Sequence, residues 1–304
     1  MYAVRSTSWL AALTVGVSAL VGVAPATAAQ RPTGEPTVVT GFDRPESAQH
    51  DRVGDVYLVS NISGHAVAKD DNGFVSRVAP DGRVLDLKWI DGADPAVTLH
   101  APKGIRIVGN TVYEADIDTV RLFDRRTGRP TGQVELPGTT FLNDLAADPA
   151  GNVYVSDTSR VYRDGQPVRA WQDAVYRIDR RLRVTRFAFG TDLNQPNGLV
   201  WTARGLYAVS LTGNELYRLD RAGTKRDVVR LPGSALDGLE VDAGGLLASS
   251  NDTASVYRVD RRGRVSTPLT GLVAPAADFS LDRQRRRLLV PMIAANRLEL
   301  RDLR

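Results

Sequence analysis

The feature that most constrains this chain is a repeat. From residue 36 onward a β-rich run ending in glycine recurs six times, at residues 38–41, 87–92, 134–138, 187–190, 228–233 and 265–271. A second marker lies upstream of several of these runs: Val175-Tyr176-Arg177-Ile178-Asp179, Leu216-Tyr217-Arg218-Leu219-Asp220 and Val256-Tyr257-Arg258-Val259-Asp260. A third is a turn followed by a strand, as in Asp148-Pro149-Ala150-Gly151-Asn152-Val153-Tyr154-Val155. Each copy holds about four short strands separated by Gly- and Asp-rich turns, which is the spacing of a propeller blade. No helical periodicity is sustained. The expectation is one all-β domain over residues 36–304, a six-bladed β-propeller, although 304 residues would ordinarily suggest two domains. The sixth repeat stops after its third strand, while the run at 36–41 has no upstream strands of its own. Placed beside the last repeat, that N-terminal strand supplies the missing outer strand and closes the ring.

Residues 1–29 stand outside the repeat. Arg5 is the only charge, residues 9–23 form a short apolar run, and Ala26-Thr27-Ala28 is a small-residue cleavage signature. They read as a signal peptide, with the mature chain starting near Ala29. No later stretch approaches a membrane span. The protein is therefore expected to be secreted, extracytoplasmic and monomeric, with no membrane contact after cleavage. The absence of cysteine excludes disulfides, thiolate metal sites and a cysteine nucleophile. The net charge of only +4, from 39 basic and 35 acidic residues, argues against a nucleic-acid partner.

Aligning the residues after each glycine marker gives one position per blade at the start of the innermost strand. These slots hold Glu46, Lys103, Asn143, Asn197, Asp237 and Ala277. Innermost strands line a propeller's channel, so two carboxylates and two amide oxygens converge there. Such hard oxygen donors suit Ca²⁺ or a Mg²⁺-like cation. Polar side chains lining a water-filled tunnel are the alternative.

The slots also carry a resemblance. The repeat is similar to the SMP-30/gluconolactonase/LRE-like family of six-bladed propellers. It matches that family's Glu in the first blade (Glu46), Asn in Asn-Asp (Asn143-Asp144), Asn in Pro-Asn-Gly (Pro196-Asn197-Gly198) and Asp in Asp-Gly (Asp237-Gly238). The resemblance implies that Glu46, Asn143, Asn197 and Asp237 hold one divalent cation, Ca²⁺ ahead of Mg²⁺, Zn²⁺ or Mn²⁺. It also implies that Asp237 serves as general base. Two positions depart from the pattern. Phe141 stands where the family's sugar lactonases carry a substrate-contacting arginine, which favours a more apolar lactone or ester over a sugar lactone. Lys103, one of four lysines, occupies a slot. It has three readings: an ion pair with Glu46 in place of a metal, a contact to substrate, or a solvated tunnel residue.

Strand parity places two long insertions, residues 60–73 and 158–173, over the same opening. With His65, Tyr162 and Trp171 they suit a partial lid or a specificity wall. Asp116, Asp157, Ser249, Asn251 and Asp252 end second strands near that face, as supports for the slots or as turn initiators. His100, just before the second slot, is a candidate substrate contact and proton shuttle. No slot holds a histidine, and G-x-S-x-G, P-loop and G-x-G-x-x-G signatures are absent. Residues 283–287 form a basic turn expected to be a solvated face at the opposite rim. The combined expectation is a metal-dependent hydrolase acting on a small-molecule lactone or ester. The alternatives are a non-catalytic binding propeller and a streptogramin-lyase-like enzyme that uses His65 or His100.

Overall fold

A computed structural model describes residues 35–170, 173–270, 272 and 275–303. Residues 1–29, read from the sequence as a signal peptide, and Trp171 and Gly271 lie outside the described residues. The fold is nearly all β: six four-stranded antiparallel sheets, a separate two-stranded hairpin and two short 3-10 turns. Blade 1 comprises Pro45–Asp51, Val56–Asn61, Phe74–Val78 and Val84–Asp91, from the axis outward. The innermost strands of blades 2 to 5 are Pro102–Val108, Leu142–Ala147, Pro196–Thr202 and Leu236–Val241. Blade 6 contributes Ser280–Asp282, Arg287–Met292 and Arg297–Asp302, and its outer strand is Thr37–Thr40. Thr37 pairs with Leu300 and Thr40 with Arg297, so the N-terminal strand closes the ring as the repeat pattern requires.

The core is divided among the seams. Second strands are apolar on both faces because each face meets a different neighbour: in blade 1, Val56 and Leu58 pack toward blade 2, whereas Tyr57 and Val59 pack toward blade 6. This explains why such strands read as unbroken hydrophobic runs rather than alternating ones. Every pair of adjacent blades encloses one apolar cluster, and Val39 of the closing strand belongs to the blade 6–blade 1 cluster.

The Tyr-Arg-x-Asp marker is explained by its turn. Asp179, Asp220 and Asp260 each accept backbone N–H groups two and four residues ahead through Oδ1, fixing the hairpin to the outer strand. The basic turn at residues 283–287 departs from the solvated face expected of it. Arg285 donates to Asp55 Oδ2 at 2.7 Å and to Asp282 Oδ2 at 2.9 Å, while the Tyr57 hydroxyl donates to Asp282 Oδ2 at 2.7 Å. Those bonds tie blade 6 to blade 1. Arg285 supplies the counter-charge beside the buried Asp282.

Candidate active site at the channel mouth

Each slot sits on a local irregularity. In blades 1 to 5 the register slips across it: Pro45 faces Asn61 but Ala48 faces Val59, and the same step recurs at Pro102/Ile105, Leu142/Leu145, Pro196/Leu199 and Leu236/Leu239. One extra residue per inner strand makes a β-bulge, which bends the strand and re-aims the side chain it carries. The N–H left over by the bulge is caught by a serine of the second strand in three blades: Ser47 N by Ser60, Asp144 N by Ser156 and Gly238 N by Ser249, at 2.9, 3.0 and 2.8 Å. The sixth slot is joined to the first through backbone, with Asp278 N donating to Glu46 O at 3.0 Å and Ala48 N to Asp278 O at 3.2 Å.

Glu46, Asn197 and Asp237 are brought together. Asn197 Nδ2 donates to Asp237 Oδ1 at 3.0 Å and to Leu236 O, and Asn251 Nδ2 donates to Asp237 Oδ2 at 2.9 Å. Glu46 lies close enough that Asp237, after burial itself, raises its carboxyl well above the usual range. Burial likewise lifts Asp237 to about 6, the two amides pulling it back down. Asn143 is placed beside this group through Thr158, whose hydroxyl accepts from Asn143 Nδ2 at 3.0 Å and donates to Pro196 O at 2.9 Å. All four side chains are buried, at 6 % exposure or less.

Lys103 is buried in the same ring, yet its ammonium turns aside. Nζ donates to Ala101 O at 2.9 Å and lies 4.4 Å from the centroid of the Phe141 ring. The Glu46–Lys103 ion pair expected as one reading is absent among the described residues, with no N···O approach within 4.0 Å. Desolvation brings the Lys103 ammonium down to about 8, against the pull of Glu46, Asp116 and Glu114. His100 is committed elsewhere: its ring lies 3.0 Å from Asp71 Oδ1 of the first insertion, and no contact joins it to the four slot residues. Asp116, Asp157 and Asp252 serve as turn anchors, holding the N–H groups of Ala101, Phe141 and Ser234 ahead of the slots. Of the strand-end residues, Asn251 reaches Asp237 itself.

The two insertions interlock over this face. Residues of the second form a hairpin, Arg160–Arg163 with Gln166–Arg169, and Tyr162 packs edge-on against His65 of the first at 4.5 Å. Beneath them Ile62, Ala66, Ala101, Ile117 and Phe141 form a small apolar cluster. Arg160 escaped sequence reasoning because it belongs to no repeat; its guanidinium lies 5.4 Å from the Phe141 centroid. Glu114 was missed as well. It is fully buried, with both oxygens unpartnered, and burial together with Asp116 pushes its carboxyl well up.

The donor set fits a divalent cation. Glu46 Oε2 and Asn197 Oδ1 are buried oxygens with no hydrogen-bond partner, a costly state unless a positive charge meets them. Among the described residues no three His, Cys, Asp or Glu side chains gather into a metal-binding group. Coordination would therefore rest on two carboxylates completed by amide oxygens and water, a composition that hard cations accept.

Comparisons with known proteins agree with this architecture. A family model described as SMP-30/gluconolactonase/LRE-like region matches residues 88–274. That span includes Asn143, Asn197 and Asp237 but not Glu46, whose equivalence rests on its shared bulge. No curated protein matches the chain by sequence. Among solved structures, a gluconolactonase from Xanthomonas campestris superposes with a TM-score of 0.59 at 20% identity, covering 90% of this chain and 99% of that one. A luciferin-regenerating enzyme gives 0.62 at 13% identity, covering 88% and 94%. A catalytically inactive virginiamycin B lyase from Staphylococcus aureus, solved with quinupristin, gives 0.60 at 13% identity, covering 89% and 99%. At these identities the likeness is one of fold.

Proposed function

The chain belongs to the SMP-30/gluconolactonase/LRE-like family, and from that premise we propose that it is a secreted, divalent-cation-dependent hydrolase of lactones or related esters, working at the channel mouth. The observation that carries this reading is the pair of orphaned buried oxygens, Glu46 Oε2 and Asn197 Oδ1, beside the amide-held carboxylate of Asp237. Glu46, Asn143, Asn197 and Asp237 would hold the cation, Ca²⁺ before Mg²⁺, Zn²⁺ or Mn²⁺. When bound, the ion supplies a Lewis acid for the ester carbonyl.

The remaining chemistry belongs to the chain. Asp237, raised to about 6 by burial, is ionised at neutral pH and more basic than an exposed carboxylate. Each of its oxygens accepts one amide N–H, which leaves a lone pair free to take the proton of an attacking water. Water adds to the acyl carbon, the ring C–O bond breaks, and the proton held by Asp237 passes to the departing alkoxide. The product is a hydroxy acid. Phe141 and the cluster around it wall the site with apolar surface, consistent with a substrate less polar than a sugar lactone. A histidine-driven lyase is disfavoured, since His65 packs on Tyr162 and His100 is held by Asp71.

The test is elemental analysis joined to turnover. The purified exported protein is expected to begin at Ala29, to carry one divalent cation per chain and to open a simple lactone ring. Chelation and Asp237→Asn should each slow that turnover by about a hundredfold or more. Undiminished turnover after both treatments overturns the reading; a cation-loaded protein inert toward lactones and esters points instead to a binding propeller.

A further inference from the structure

Two cations at the mouth, Lys103 and Arg160, make no ion pair among the described residues, although both lie within electrostatic reach of carboxylates. Lys103 is 1 % exposed, yet its one hydrogen bond goes to a neutral carbonyl, that of Ala101. Besides that bond and its approach to the Phe141 ring, an N–H direction is left for a ligand. Arg160, half-buried at the root of the insertion hairpin, makes no ion pair or side-chain hydrogen bond among the described residues. Of the other arginines on this face, Arg121 pairs with Asp116 and Arg169 with Asp173, while Arg44 donates to Gly64 O. Both unmatched cations rest on one aromatic ring, Phe141, with Nζ at 4.4 Å and the guanidinium at 5.4 Å from its centroid.

We propose that Lys103 and Arg160 form a carboxylate pocket, so that the preferred substrate is a lactone or ester carrying an acid group beside an apolar body. The proposal rests on the hydrolase reading only for the identity of the reacting group. An unmatched buried ammonium is retained at considerable cost unless a partner arrives, and a guanidinium fork matches a planar carboxylate in two parallel hydrogen bonds. Of the carboxylates within electrostatic reach, Asp116 is paired with Arg121, burial holds the Glu114 carboxyl well above its usual range, and the candidate cation would supply the counter-charge of Glu46 and Asp237. That division leaves Lys103 and Arg160 for the ligand. Arg160 is also held in place. The hairpin root is fixed by Thr158 N donating to Phe141 O at 3.0 Å and Ala170 N to Ser159 O at 2.7 Å. The backbone from which Arg160 reaches the Phe141 ring is therefore placed by the fold of blade 3. The arginine absent at position 141, relative to the family's sugar lactonases, is thus replaced by a different pair of cations aimed from other elements.

The experiment uses the full mature protein loaded with Ca²⁺ and a ring that cannot be opened, 3-oxocyclopentane-1-carboxylate, compared with its neutral carboxamide by titration calorimetry. The acid should bind at least about tenfold tighter, and Arg160→Gln should bring the two ligands to within about twofold of each other. Lys103→Met should act in the same direction; because it alters a fully buried position, Arg160→Gln at the half-buried hairpin root is the deciding variant. Equal affinity for acid and carboxamide, no binding of either, or discrimination that survives Arg160→Gln would each overturn the pocket. Discrimination through Arg160 in a protein that opens no lactone leaves the pocket standing and removes the hydrolase reading. Lactone turnover without discrimination does the reverse.

Discussion

At the scale of single residues, the site is a place where ordinary burial rules are suspended, and Glu114 shows this most sharply. Its carboxyl is inaccessible, has no hydrogen-bond partner, and faces Asp116, Glu46 and Asp278 with only Lys103 in opposition. Burial and those like charges raise its pKa in the folded chain above the unfolded value. Above about pH 4.5 the unfolded state therefore binds fewer protons than the folded one, and stability falls as pH rises, by up to about 1.4 kcal/mol per pH unit for one group. Glu114→Gln removes this slope, so urea denaturation at pH 5 and pH 8 should show the variant gaining on the parent at the higher pH. A constant difference between the two pH values would contradict the sign. Asn251 acts at the same scale. As one of two amides on Asp237, it is a positioning residue, and Asn251→Ala is expected to lower kcat by about tenfold with little change in KM, the size of one hydrogen bond to a charged group; a rise in KM alone would assign it to substrate binding. Five of the six slot positions were legible in the sequence because each occupies the same bulge after a glycine-ended run. Glu114 was not, since its neighbours Tyr113 and Ala115 make it look like the polar side of an alternating strand. Arg160 was not either, because an insertion has no register to align.

At the scale of elements, the inner strands stand close enough that some positions exclude any side chain. A Cβ on Gly198 would lie 2.1 Å from Asp237 O, and one on Gly104 would lie 2.6 Å from Asn143 O. The Gly in Pro196-Asn197-Gly198 is thus required by the next blade's backbone, and the Asn before it is brought to Asp237 by that same approach. Gly198→Ala forces the inner strands of blades 4 and 5 apart. It should cost about 2 kcal/mol or more, since the obstructing atoms are backbone and cannot rotate away. Denaturant titration measures the loss, and a neutral result would mean that the two strands are free to slide. This contact also explains why the Asn-Gly and Asp-Gly pairs could be found by eye: the chemistry of the first residue and the steric need of the second are neighbours in sequence. The hairpin at Arg160–Arg163 had no such signature, because its order comes from packing Tyr162 on His65, two side chains from insertions far apart in the chain.

At the scale of the whole molecule, the ring is held by one seam unlike the others. Five blades are each drawn from one continuous stretch of chain, but blade 6 depends on Thr37–Thr40 lying against Arg297–Asp302, with Val39 buried in the cluster it shares with blade 1. The repeat count and the missing strand were both legible, because a ring of identical units makes an omission conspicuous. The ion pairs of Arg285 with Asp55 and Asp282 were not, because nothing in a run of arginines indicates which acids lie across a seam. The register of the closing strand makes its connectivity testable. Thr37 lies opposite Leu300, so a chain continuing past Asp302 could turn back within a few residues and enter the same strand from the other end. A circular permutant that begins at Phe42 and carries residues 35–41 behind Arg304 should therefore fold and melt within about 5 °C of the parent. The same chain without that strand exposes an unpaired edge and a broken apolar cluster, and should melt at least about 10 °C lower or aggregate, as the loss of a few kcal/mol implies for a single cooperative unit. Calorimetry of the three chains decides it. If the truncated chain melts with the parent, ring closure contributes nothing to stability. The mouth would then have to be kept in register by the five continuous blades alone.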